Sequence, residues 1–112
     1  MIRVTIQRNK HDRSIGGYEV TGHAGFDERG RDIVCAGVSA VTVGTVNAAE
    51  EVAGVQLDVV MREDGYLRVQ VPEGLDAERQ QRVQLQLESM VVMLESIRQS
   101  YGAYIAMKDI LR

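Results

Sequence analysis

The chain has no tryptophan, one phenylalanine, one proline and one cysteine among 112 residues. A single cysteine excludes an internal disulfide, and a reducing, cytoplasmic setting is the simplest expectation. One cysteine and two histidines do not make a closed zinc site within one chain, so no metal is expected. No cofactor is expected either: Gly22, Gly25 and Gly30 follow neither GxxxxGK[ST] nor GxGxxG, and they read as hinges. With so few aromatics the core has to be built from Val, Ile, Leu and Met. Basic charge is also short. A net charge of -3 argues against a large cationic face, so no direct nucleic-acid partner is expected. The opening MIRVTIQRNK is broken by charges and is not read as a signal peptide.

What is present is an ordinary globular mixture, 45% hydrophobic and 26% charged, long enough for one domain over residues 1–112. The run from Ile33 to Ala49 has no charge, which raises a membrane reading. It is short for a span, and it holds Ser39, Thr42, Thr45 and Asn47. It is read as a buried element of a soluble domain, with no membrane partner.

Ile2, Val4 and Ile6 alternate with polar residues and predict a half-buried strand. Ile15 to Gly22 predicts a second, with Tyr18 and Val20 on one face, and the two predict a hairpin. Gly22 to Arg31 reads as a glycine-rich loop. Asp32 is a good N-cap, and Ile33 to about Val52 is predicted to follow as a helix, against the strand propensity of V-T-V-G-T-V. Leu57, Val59 and Met61 alternate, Asp64-Gly65 turns, and Leu67, Val69 and Val71 alternate. That is a hairpin signal, closed by Pro72 and Gly74. Val83, Leu87, Met90, Leu94, Ile97 and Tyr101 form one apolar stripe on a helix from about Asp76 to Tyr101, with Leu85, Val92 and Met93 off it. Tyr104 to Met107 is a candidate short last strand. The expected fold is α+β: a two-layer sandwich, ββ-α-ββ-α with an optional final β, its sheet mainly antiparallel and both helices on one face. The surplus apolar surface on both helices suggests a homodimer.

Function points to GHAGFDERGRDIVCAGVS, from Gly22 to Ser39. A free thiol is ionised to only about a few per cent at pH 7. At the third position of a helix, Cys35 would feel the positive end of the macrodipole and unpaired amides, which favour thiolate. His23, on a glycine-flanked strand end, would favour it further. The same amides would stabilise an oxyanion on a substrate carbonyl. Ser39 lies one turn after Cys35 on the same face. The ordinary readings are a buried small hydrophobe for Cys35 and a merely exposed His23.

The segment closely resembles the signature of the ribosomal-processing cysteine protease family, known as Prp: G-H-A, then G-x-D-I-V-C-A, then V-S. Here these are Gly22-His23-Ala24, Gly30 with Asp32-Ile33-Val34-Cys35-Ala36, and Val38-Ser39. The resemblance implies a small homodimeric α+β cysteine endopeptidase. Its partner would be the N-terminal tail of a large-subunit ribosomal protein, cut after a pair of phenylalanines. By position, Cys35 would be the nucleophile and His23 the base, with Asp32 and Ser39 as supporting residues. Residues 24–31 would be a mobile substrate loop, so that Gly22, Ala24, Gly25, Phe26 and Gly30 line or hinge the substrate site. Two other readings stay open: a non-catalytic ribosome-biogenesis module that binds a ribosomal protein tail, and a redox-sensing thiol, against which the lack of a resolving cysteine counts.

Overall fold

A computed structural model describes all residues, Met1–Arg112. The elements are β1 (Ile2–Arg8), β2 (Ile15–Thr21), α1 (Ile33–Ala48), a π-helical turn (Ala49–Ala53), β3 (Asp58–Arg62), β4 (Tyr66–Gln70), α2 (Ala77–Tyr101) and β5 (Ile105–Leu111). The sheet order is β3-β4-β2-β1-β5. β1/β2, β2/β4 and β3/β4 pair antiparallel, whereas β5 runs parallel to β1. The fold is thus α+β with a mixed sheet. Because β2 and β3 point the same way, α1 is a crossover that skips β4; α2 likewise carries the chain from β4 to β5 at the far edge.

One face of the sheet is apolar by register. Val4 pairs with Val20 and Val20 with Leu67; Ile6 pairs with Tyr18 and Tyr18 with Val69. All six are buried, as are Val34 and Val38 of α1 and Val83, Leu87, Met90 and Leu94 of α2. The intervening Arg3, Thr5, Glu19 and Arg68 face the other way, as the period of two requires. The uncharged run is buried on one face only: α1 buries Val34, Val38, Thr42 and Thr45, and the rest of it is half-buried or exposed in the chain. Its buried Thr42 and Thr45 donate to the carbonyls of Val38 and Val41, one turn back, at 2.8 and 2.7 Å. Tyr18 ties sheet to helix, its hydroxyl donating to the Thr42 carbonyl at 2.7 Å. Burial pushes that phenol's pKa up. Where the β1/β2 register shifts at Arg8, Gln84 of α2 bonds both the N–H and the carbonyl of Ile15, at 2.8 and 2.7 Å.

Two expectations are corrected. The last strand is not a short Tyr104–Met107 segment but seven residues, Ile105–Leu111. Lys108 and Asp109 break its apolar pattern, yet Asp109 accepts from Arg8 on the neighbouring strand at 3.2 Å. Second, Val59 and Met61 share a face with Val69 and Leu67 but stay 38% and 57% exposed, because β3 is the edge strand.

Candidate active site

Asp32 builds the site. It is the N-cap of α1, and its Oδ1 accepts the N–H groups of Val34 and Cys35, both at 3.0 Å. Its Oδ2 accepts Phe26 N–H at 3.0 Å and Asp27 N–H at 3.3 Å. Burial opposes the charge, but the four backbone donors together outweigh it and hold the carboxyl below its ordinary 3.8. One side chain therefore starts the helix and pins the preceding loop to it. Phe26 adds a second anchor, its ring edge-on to Tyr101 and Tyr104 with centroids 5.6 and 5.1 Å apart. Phe26 thus packs back on the end of α2 in the resting chain.

This arrangement corrects part of the electrostatic expectation. The amides of Val34 and Cys35 at the start of α1 are taken by Asp32 and are not free for an oxyanion. The sulfur is instead met from the loop: Ala24 N–H donates to Cys35 Sγ at 3.3 Å. Asp32 makes no hydrogen bond to His23; it acts on the loop and the helix end.

His23 lies two residues past the end of β2 and is exposed, while Ala24 beside it is buried. Gly22 makes the bend, with φ 85°; a Cβ there would stand 2.5 Å from the Met1 carbonyl oxygen. His23, half-buried Cys35 and exposed Ser39 all line two cavities that meet at the thiol. One, of about 350 Å³, is walled by Val38, Val43, Met61 and Leu67. The other, of about 580 Å³, opens under the loop between Gly25, Asp27, Gly30 and Asp32. Sequence reasoning placed the β3–β4 hairpin but missed its part in the site, where Met61, Arg62 and Gly65 form a wall of the cavity. The polar cleft of about 520 Å³ at the other end of β2, between Gln7, Gln70 and Gln80, holds neither cysteine nor histidine.

Asp32→Asn separates the two duties of this carboxylate. The amide oxygen can keep the cap, but its NH2 would face the donors of Phe26 and Asp27, and buried donors without acceptors cost about 1–3 kcal/mol each. Peptide turnover is expected to fall by about tenfold, less than for loss of His23; equal losses would mean that Asp32 acts on His23 directly. The acid dependence has a definite sign. With its carboxyl held below 3.8, Asp32 supports the folded loop fully above that value, and the support is lost as pH falls through the lowered one. The amide proton shifts of Phe26 and Asp27 should titrate in that window and cease to do so in the variant.

A cysteine near the start of a helix and a histidine past a strand end, both lining the same two cavities, are the parts that a thiol hydrolase on an α+β frame requires. Residues 1–106 match the model of the family described as cysteine protease Prp. The ribosomal processing cysteine protease Prp of Bacillus subtilis (strain 168) is 48% identical over 102 residues, 90% of each chain. The Staphylococcus aureus Prp, an essential ribosomal processing protease, superposes with a TM-score of 0.87 at 32% identity in its complex with a covalently linked product peptide. That match covers 98% of this chain and 100% of the other. Its complex with a substrate peptide gives 0.83 at 30% identity over the same shares. The chain belongs to the Prp family of cysteine proteases.

Proposed function

We propose that the chain is a cytoplasmic endopeptidase that removes an N-terminal extension from a large-subunit ribosomal protein during ribosome assembly, using Cys35 as nucleophile and His23 as base. The observation that carries this reading is the meeting of two cavities at Cys35, each lined by His23 as well. A scissile peptide needs such a two-sided approach. The apolar side, with Val38, Val43, Met61 and Leu67, suits the large apolar residues before the cut. The loop side suits the chain that leaves.

His23 takes the proton from Cys35 Sγ, and the thiolate attacks the scissile carbonyl carbon. The tetrahedral intermediate collapses as the amide nitrogen leaves with the proton from His23. Water, deprotonated by His23, then hydrolyses the thioester and frees the thiol. Ala24 N–H rests on the sulfur, and the next amide along the loop, Gly25 N–H, has no partner within the chain. In this reading they serve as the donors to the developing oxyanion. Residues 24–31 serve as the substrate-gated loop, swinging between Gly25 and Gly30, at φ 70° and 89°. Opening has to break the Phe26 and Asp27 bonds to Asp32. Ser39, exposed at the rim of both cavities, supports the bound tail.

A chloromethyl ketone built on the tail sequence up to the cut is the test. It should alkylate Cys35 selectively, and iodoacetamide of equal reactivity should be much slower at equal concentration. Equal rates for the two reagents would mean that no tail site exists around the thiol.

The working unit in this reading is a homodimer. Leu85, Val92 and Met93 are 66%, 65% and 45% exposed along α2. A groove of about 410 Å³ runs between Leu85 and Met93 and Ala40, Val41 and Gly44 of α1. In it the buried Oε1 of Gln86 has no donor. A second copy would cover this surface. Sedimentation equilibrium at micromolar concentration should give twice the 12.4 kDa chain mass; a clean monomer would refute it.

A further inference from the structure

We infer that Gly65, in the turn between β3 and β4, is the residue that positions His23. The inference rests on the reading of His23 as the base. The Asp64-Gly65 pair is first of all a hairpin turn, with Gly65 at φ 79°. Two contacts exceed what a turn needs. The Gly65 carbonyl accepts Gly22 N–H at 3.0 Å and so fixes the backbone immediately before His23. The imidazole edge, Cε1 and Nε2, lies against the bare Gly65 Cα: a Cβ there would be 3.0 Å from both ring atoms and 2.8 Å from the Gly22 carbonyl oxygen.

The contact matters because no hydrogen bond holds the ring. His23 is exposed, and neither ring nitrogen has a hydrogen-bond partner within the chain. The buried carboxylate of the motif, Asp32, is spent on four backbone amides. An exposed imidazole with no orienting partner spreads over its rotamers, and a base acts only within hydrogen-bond reach of its proton. In this fold a flat glycine backbone supplies the wall that an orienting side chain would otherwise supply. Any side chain at 65 meets the Gly22 carbonyl, which cannot yield without moving the end of β2, and meets the ring, which yields by turning away.

The experiment separates the seat from the strain of a left-handed residue. Gly74 has φ 80° and no atom within 4 Å of an added Cβ, so Gly74→Ala carries the backbone strain without the clash. Both variants should lose melting temperature, Gly65→Ala the more, because its Cβ also meets the Gly22 carbonyl oxygen. Gly65→Ala alone should lower kcat on the tail peptide by about 10- to 100-fold, with KM little changed, and its kcat–pH profile should move. Gly65→Asn, which tolerates positive φ but brings a Cβ, should repeat the loss if the Ala variant fails to fold. Equal kcat in the position 65 and position 74 variants would overturn the inference. So would the absence, in the unmodified protein, of nuclear Overhauser contacts between the imidazole Hε1 and the Gly65 Hα protons. His23→Ala is measured alongside. Parental turnover there refutes the base assignment itself, whereas loss there with an active Gly65→Ala refutes only the seat.

Discussion

Cys35→Ala is expected to reduce cleavage of the tail by about 10⁴-fold or more, to the background rate. The change removes one half-buried sulfur and one contact, from Ala24 N–H. Asp32 still caps α1, and the Val34 and Val38 contacts to the sheet remain. Melting temperature should therefore move by no more than about 1 kcal/mol would produce. The uncut tail should still bind with nearly parental affinity, since the walls of both cavities are unchanged. Calorimetry with the variant checks this. Loss of binding and fold together with activity would make Cys35 a packing residue.

His23→Ala should lower turnover by about a hundredfold or more at almost no cost in stability. The side chain is exposed and makes no hydrogen bond in the chain, so truncation removes little beyond its contact with Gly65. Turnover should fall while the affinity for uncut tail holds, because the lost interaction belongs to the proton transfers. The comparison is a kcat and KM pair at several pH values. A parental rate rules His23 out.

Much of this arrangement was legible in the residues. Alternation at Ile2–Ile6 and Leu67–Val71 marks strands because one sheet face is buried and the other wet. Asp32 marks the start of α1 because few residues cap as well. The α2 stripe held at Val83, Leu87, Met90 and Leu94. The parallel β1/β5 pair was not legible, since strand order across a sheet depends on where the helical crossovers land. Nor was the length of β5: Asp109 looks foreign to a strand until Arg8 stands beside it, itself held by Glu88 of α2 through two bonds of 2.8 Å. At the site, pattern alone showed a thiol, a histidine and a cap. It did not show that Asp32 reaches back to Phe26 and Asp27 while it also takes the Val34 and Cys35 amides. Nor did it show that Gly65, remote in sequence, touches the His23 ring. Both are returns of distant backbone, and no local period encodes them.

In the proposed reaction Cys35 and His23 together cut a ribosomal protein tail. Its most direct test is intact-mass measurement of the host's own full-length large-subunit ribosomal protein, extension included, after incubation with the purified protease and, in parallel, with Cys35→Ala. The expected result is loss of one N-terminal fragment at a single position after large apolar residues, with a thioester adduct on the active chain at short times and neither species with the variant. An unchanged mass after prolonged incubation of a soluble, extension-bearing substrate, or equal cleavage by the variant, would contradict the claim.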